Sequence, residues 1–258
     1  MSDSRRVKLA VFKFSSCDGC QLQILNAEDE LLKLAENVDI SYFMEATRKA
    51  SPGPYDVSLV EGSVSTPEEE DRIKQIRRDS KFLIAIGACA TAGGIQALRN
   101  WSDVEYFKRV VYPNPEWISA LKTATPISAH VKVDLELMGC PISKDQLISV
   151  IAQLLRGKRP YLPTYSVCVE CKARGTPCVV VTKNIPCLGP ITMAGCGAIC
   201  PAYGRGCYGC FGPMDDPNPK ALIEYLVSQG IEKEKVLGLL RMFTGYSEKF
   251  RKAVDEYE

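Results

Sequence analysis

Residues 7–14 (VKLAVFKF) are apolar except for two lysines. A strand covered on both faces reads this way. Residues 21–35 (QLQILNAEDELLKLA) change the rhythm, with apolar side chains at three- and four-residue intervals. That spacing predicts one helix. Residues 39–44 (DISYFM), 55–60 (YDVSLV) and 81–86 (KFLIAI) read as strands, and residues 131–137 as another. Thr66, Pro67 and three following glutamates form a helix start, with Thr as N-cap, Pro at the first helical position and acids in the first turn. This helix should reach about Arg78, and a second should run over residues 143–155 from a Ser143 N-cap. Strand alternating with helix across residues 1–157 predicts an α/β fold with a doubly wound parallel sheet.

The grammar changes over residues 160–217. Gly, Pro and Cys crowd this stretch, and little periodicity survives. Eight of the chain's twelve cysteines lie here: Cys168, Cys171, Cys178, Cys187, Cys196, Cys200, Cys207 and Cys210. Such a segment cannot build an ordinary apolar core, so a bound group must organise it. Short helices resume at residues 221–228, 232–240 and 247–256. The expected division is a first domain over residues 1–157 and a loop-rich, Cys-dense second domain with short helices over residues 158–258.

Charge narrows the function classes. Lys+Arg is 32 and Asp+Glu is 31, giving a net charge of +1 over 258 residues. There is no basic stripe with interleaved aromatics, so no nucleic-acid partner is expected. No apolar run is long enough to span a membrane. Arg5-Arg6 raises a twin-arginine export signal, but the short, lysine-broken run after it lacks a small-residue cleavage site. The chain therefore reads as cytoplasmic. In a reducing compartment twelve cysteines point to metal ligation or redox chemistry rather than disulfides. His130 is the only histidine, which favours all-thiolate sites over mixed Cys/His ones and reads as a solvent-facing or internally satisfied side chain.

The other four cysteines fall just past predicted strands. Cys17 and Cys20 follow the first strand in CDGC, where Gly19 would ease a tight turn. Cys89 follows residues 81–86 in GACATAGG, and Cys140 follows residues 131–137 in GCP. The carboxyl edge of an open parallel sheet is where loops converge on a ligand. Four thiolates meeting there would suit a cubane iron–sulfur cluster or a zinc ion. Glu61 falls at the same edge, either as a plain loop carboxylate or as a group that tunes the site or relays protons. GACATAGG lacks the spacing of a phosphate loop, while its backbone donors and the glycines Gly87, Gly93 and Gly94 would suit an anionic cluster.

The remaining eight are spaced Cys168-x2-Cys171-x6-Cys178-x8-Cys187 and Cys196-x3-Cys200-x6-Cys207-x2-Cys210. Two all-cysteine sites are the natural reading, and zinc ribbons are the structural alternative. Three sites of four use all twelve thiols, and Cys140-Pro141 and Cys200-Pro201 match the Cys-Pro ending of ferredoxin runs.

Taken in order, CDGC, EGSVS, GACATAGG, GCP and the block ending in CYGC resemble the small subunit of nickel–iron hydrogenases, in particular the delta subunit of the cytoplasmic NAD(P)-linked sulfhydrogenase type. The resemblance implies a flavodoxin-like first domain with a proximal 4Fe-4S cluster on Cys17, Cys20, Cys89 and Cys140. It implies a medial 4Fe-4S cluster on Cys196, Cys200, Cys207 and Cys210, and a distal one on Cys168, Cys171, Cys178 and Cys187. Cys168 stands where exported members carry a histidine ligand, and Cys196 adds a thiol where many have proline. Ile142 departs from the family's usual GCPP without removing a ligand.

The resemblance further implies that the chain does not itself split dihydrogen. The nickel–iron centre would lie on a large partner subunit, with FAD and NAD(P) on flavin/nicotinamide-binding and iron–sulfur partner subunits. A relative whose acceptor is a deazaflavin coenzyme or a heterodisulfide reductase is the other reading. The cluster-bearing subunit of respiratory complex I is more distant, since it has an adjacent Cys-Cys pair and lacks the eight-cysteine block. A zinc-stabilised scaffold is the alternative from another class. Trp101, Tyr106, Phe107, Tyr112 and Trp117, between Cys89 and Cys140, read first as core-packing residues and second as partner contacts. All-Cys ligation keeps more negative charge at a cluster than His ligation, so Cys168→His should raise the potential of its site in a redox titration.

Overall fold

The computed structural model describes residues 6–257. Five strands, β1 (Val7–Lys13), β2 (Val38–Phe43), β3 (Tyr55–Glu61), β4 (Ser80–Ile86) and β5 (Leu135–Leu137), pair in parallel in the order β2-β1-β3-β4-β5. This is the flavodoxin-like doubly wound order, with its switch point between β1 and β3. Alternate residues feed two cores, because successive side chains in a strand point to opposite faces. Leu9, Val11, Leu59, Ile84 and Ile86 pack on one face with Ile24, Leu147, Val150 and Ile151. Ala10, Phe12, Val60, Leu83 and Ala85 pack on the other with Ile73, Ile76 and Ile127. Both faces are covered, so the strands read as apolar runs, and each fully buried Leu or Ile contributes roughly 2 kcal/mol.

Helix α1 (Gly19–Leu25) and helix α2 (Glu28–Ala35) replace the single helix expected over residues 21–35. Ala27 tucks into the core and Glu28 takes a left-handed conformation (φ 42°), which a continuous helix cannot contain. Helix α3 (Pro67–Arg78) begins as expected. The Glu69 N–H donates to Thr66 Oγ1 at 3.2 Å and the Thr66 N–H to Glu69 Oε2 at 3.1 Å, a reciprocal cap. Helix α4 (Gly87–Ala92) follows β4 directly, and helix α5 (Val104–Val111) lies in the insert before β5. Helix α6 (Lys144–Leu155) is capped by Ser143.

Strand β5 has three residues rather than the seven expected over residues 131–137. Its upstream end is held by a side chain instead of a ladder. Asp134 exchanges backbone hydrogen bonds with Leu83 through its carboxylate at 2.8 Å and its own N–H at 2.9 Å, and pairs with Arg77 at 2.5 Å. The core-packing expectation for the aromatic insert is also corrected. Tyr106 and Phe107 on α5, which buries none of its residues, and Tyr112 and Trp117 after it are exposed, Trp117 to 77%. Trp101 is half-buried and meets Tyr246 edge-on. His130 is internally satisfied, with Nε2 2.7 Å from Thr125 Oγ1. The Arg5-Arg6 expectation lies partly outside the described residues, since Arg5 is not among them.

Beyond residue 160 come the short helices α7 (Val167–Ala173), α8 (Val179–Lys183) and α9 (Ile199–Ala202), joined by irregular chain. Helices α10 (Pro219–Ser228), α11 (Lys233–Arg241) and α12 (Glu248–Asp255) then pack around Ile223, Leu226, Val236, Leu240 and Phe250, with Leu188 and Ile191 of the Cys-rich segment in the same core. Among the described residues no helix is long and apolar enough to cross a membrane.

Burial pushes the Asp134 carboxyl up, but the Leu83 N–H and Arg77 outweigh it and hold the carboxyl below its ordinary range. Its stabilising contribution is therefore complete above the unfolded carboxylate pKa near 4 and is lost as pH falls through the depressed folded value. Asp134→Asn should destabilise the chain by about 1–3 kcal/mol at neutral pH. In urea unfolding at stepped pH, the gap between wild type and variant should shrink below pH ~4.

Candidate functional site

The turn from β1 into α1, helix α4 directly after β4 and the turn after β5 bring Cys17, Cys20, Cys89 and Cys140 to the carboxyl edge of the sheet, around the end of β3. Burial pushes the Cys20 thiol up, and Glu61, Cys89 and Cys140 are near enough to push the same way. Burial also holds Cys89 at about 12, with Cys140, Cys17 and Glu61 adding to it. Cys140 is raised by burial, then by Cys17 and Glu61. The CDGC turn is made by Asp18, which takes the left-handed position (φ 65°), and not by Gly19 as the sequence suggests. Gly87 and Gly94 are required by space. A Cβ on Gly87 would stand 2.4 Å from Cys20 Sγ, and one on Gly94 2.4 Å from Cys89 Sγ. The Ala88 N–H donates to Gly139 O at 2.7 Å, so this amide ties the β4 and β5 loops together rather than facing a ligand.

Cys168, Cys171, Cys178 and Cys187 form a second neighbourhood. Burial raises Cys168 to about 11, with Cys187, Cys171 and Cys178 adding to it. Cys196, Cys200, Cys207 and Cys210 form a third. Burial raises Cys210 to about 12, followed by the effects of Cys196, Cys140 and Cys200. Two close approaches join the neighbourhoods. Cys140 lies near enough to Cys210 to act on its thiol, and the Cys207 N–H donates to Cys187 Sγ at 3.1 Å. The Gly189 N–H also reaches Cys187 Sγ at 3.4 Å. Only Cys17 and Cys178 are exposed, and they stand in the two outer sets.

Glu61 is buried (2% exposed) and accepts from the Cys20 N–H at 2.9 Å and from Gln21 Nε2 at 2.8 Å. Burial raises its pKa against the pull of these two donors. Two polar side chains at this edge escaped sequence reasoning. Gln21 is 1% exposed and fixes Glu61. Gln96 accepts from Cys89 Sγ at 3.4 Å and donates to Ser15 O at 2.7 Å. The available signal was a glutamine directly after CDGC, on what is otherwise an apolar helix face.

All twelve cysteines are free. Among the described residues no three His, Cys, Asp or Glu side chains converge tightly enough to hold a single metal ion. A cubane binds its four thiolates at four different irons, so it asks for a wider arrangement than one ion does. An apolar cavity of about 360 Å³, lined by Val7, Leu9, Val38 and Phe82 among others, lies at the opposite edge of the sheet and includes no cysteine.

A flavodoxin-like sheet whose carboxyl edge presents thiols in place of a phosphate loop defines a thiolate-ligand α/β protein. The family model described as NADH ubiquinone oxidoreductase, 20 Kd subunit, matches residues 17–154. Sulfhydrogenase 2 subunit delta of Pyrococcus furiosus is 40% identical over 237 residues, spanning 92% of this chain and 99% of its own length. A subunit of the vhu F420-non-reducing hydrogenase of Methanocaldococcus jannaschii is 35% identical, spanning 81% and 83% respectively. A chain in the crystal structure of NAD+-reducing NiFe-hydrogenase in the H2-reduced state matches with a TM-score of 0.58 at 30% identity, covering 62% of this chain and 96% of that one. The chain belongs to the family of that model and, within it, to the small subunits of nickel–iron hydrogenases. It is thus part of an oxidoreductase whose active site lies on a partner chain, the large subunit of a multi-subunit complex.

Membership implies iron–sulfur clusters, and the residues present fit them. The donors are all thiols, backbone N–H groups aim at Sγ atoms, and glycines clear space beside Cys20 and Cys89. Gly87→Ala adds a Cβ at positive φ (86°) against Cys20 Sγ, at a cost of about 1–3 kcal/mol in backbone strain. Iron analysis should show a lower iron content in this variant, with circular dichroism showing retained helix.

Proposed function

We propose that this chain relays electrons through three 4Fe-4S clusters, between the nickel–iron centre of the large subunit and a partner that binds flavin and NAD(P). The first domain (residues 1–157) would hold the proximal site on Cys17, Cys20, Cys89 and Cys140. The second (residues 158–258) would hold the medial site on Cys196, Cys200, Cys207 and Cys210 and the distal site on Cys168, Cys171, Cys178 and Cys187. The observation that carries this reading is the adjacency of the three groups of thiols. Cys140 lies beside Cys210 and the Cys207 N–H donates to Cys187 Sγ at 3.1 Å, so three groups of four thiols fall into one line. The line is covered in the middle and exposed at its ends, Cys17 and Cys178.

When bound, such clusters supply reversible one-electron chemistry at low potential. The chain's own part is ligation, shielding and tuning. Buried thiols beside one another favour binding of a cationic group that offsets their charge. The N–H donors to Cys187 and Cys207 lighten the charge on sulfur, which raises a site's potential relative to the same ligands without them. Glu61, buried beside Cys20 and held by two donors, is placed to carry a proton or to oppose negative charge at the proximal site. Twelve free thiols also fit a reducing compartment, so the reading places the chain in the cytoplasm.

Likeness to a subunit of an F420-non-reducing hydrogenase supports a second reading, in which the relay is the same but the acceptor is not NAD(P). Supplying the purified native complex with dihydrogen and each acceptor separates the two. Metal analysis separates both from a zinc scaffold: about twelve irons and twelve acid-labile sulfides per chain are expected, with brown absorbance bleached by dithionite. Three zincs in a colourless protein would sink the relay. Cys17→Ser or Cys20→Ser should abolish dihydrogen-driven acceptor reduction more completely than Cys168→Ser, measured as turnover in the assembled complex.

A further inference from the structure

The Cys-rich segment carries an uneven charge. Between Cys168 and Met214 there are four cations, Lys172, Arg174, Lys183 and Arg205, and a single acid, Glu170. The whole chain has a net charge of only +1, so this segment stands apart from it. All four cations are exposed. Glu170 is turned inward, where Oε1 accepts from the Gly195 N–H at 2.9 Å and Oε2 is shut off from solvent. Lys172 and Arg174 reach main-chain carbonyls, of Thr176 at 2.6 Å and Gly197 at 2.8 Å, and keep their charge uncompensated.

The fold brings the stretch that carries Lys172, Arg174 and Lys183 against the stretch that carries Arg205. Arg174 bonded to Gly197 ties the chain around α7 and α8 to the chain around α9. Lys183 lies over Gly204, close enough that a Cβ there would stand 3.1 Å from its Nζ, between the neighbours Tyr203 and Arg205. Large apolar side chains occupy the same two stretches in the open: Tyr203 is 80% exposed, Val181 76%, and Val169 and Ile199 just over half. Cys178, at the start of α8, is the only exposed cysteine outside the Cys17 loop. Apolar and aromatic contacts inside a charged rim are the pattern of a protein interface, where the rim charges choose the partner and speed encounter.

We propose that this face is the docking surface for an electron-carrying partner chain that presents an acidic face around its own redox group. The proposal rests on the relay reading, because it makes Cys178 the exposed thiol of the exit site. The cations would steer the partner, and Tyr203, Val181 and Ile199 would pack once it has docked. Four cations are too few to hold an extended polyanion without help, and the aliphatic side chains among them suit a folded protein surface.

The test uses the native complex carrying Lys172→Glu, Arg174→Glu, Lys183→Glu and Arg205→Glu together. A control carries Lys172→Arg, Arg174→Lys, Lys183→Arg and Arg205→Lys. Retention of partner chains is followed as sodium chloride rises, and dihydrogen-driven reduction of methyl viologen is followed in parallel. The charge-reversed complex should bind the electron-accepting chain at least about tenfold more weakly, while keeping the large subunit and reducing methyl viologen no more slowly. The charge-keeping control should retain every chain. Unchanged retention and salt dependence in the charge-reversed complex would overturn the proposal. So would a lowered potential at the Cys168 site with every chain retained, which would mean that the cations only balance a bound cluster. Iron content of the wild-type complex is scored separately, so an iron-free preparation counts against the relay and not against the chain-retention result.

Discussion

The closeness of Cys140, at the sheet edge, to Cys210 of the Cys-rich segment is the constraint on which the rest of the arrangement depends. Cys140 also lies near Cys17 and Glu61, so it belongs to both groups of thiols. That double role demands a fixed end to β5. The structure supplies it by bonding the Ala88 N–H to Gly139 O and by packing Met138 against Gly212, where a Cβ would stand 2.7 Å from the methionine sulfur. A short strand suits this purpose, since its job is to deliver one cysteine to a seam and not to extend a ladder.

The second constraint is charge. Thiols buried side by side resist ionisation, and Cys20, Cys89, Cys168, Cys207 and Cys210 are all pushed well above an ordinary thiol. A chain that assembles such groups gains stability from a cationic partner, because ligand binding and folding are then linked. The core around Val167, Val179 and Ala198 is small, and three of its six fully buried members are cysteines. The segment leans on the α10–α12 bundle through Leu188 and Ile191. Its shape is therefore set by what the thiols hold and by what the last helices cover.

Polar groups within the sheet edge are likewise held by specific partners. Glu61 would be costly to bury alone, and it is not alone: the amide of Cys20 and the side chain of Gln21 both donate to it. The carboxylate thereby locks the first turn of α1 to the end of β3, which holds Cys20 in place. One buried carboxylate thus fixes the turn that carries Cys20.

Much of this was legible in the amino-acid order alone. Apolar runs and capping chemistry are local, so β1 to β4, α3 and α6 could be read directly, and the strand ends marked where Cys17, Cys20, Cys89 and Cys140 would fall. Motif order identified the family because ligand spacing is a covalent property of the chain. Other features needed the tertiary structure. The break between α1 and α2 depends on Ala27 finding a place in the core, and the truncation of β5 depends on Asp134 meeting Leu83 and Arg77 across the sheet edge. The exposure of Tyr106 and Phe107 on α5, and of Tyr112 and Trp117 after it, is set by a helix that buries none of its residues. The junction between Cys207 and Cys187 runs through a backbone amide. Every residue except proline has one, so the sequence holds the donors everywhere, and only folding decides which of them points at a sulfur.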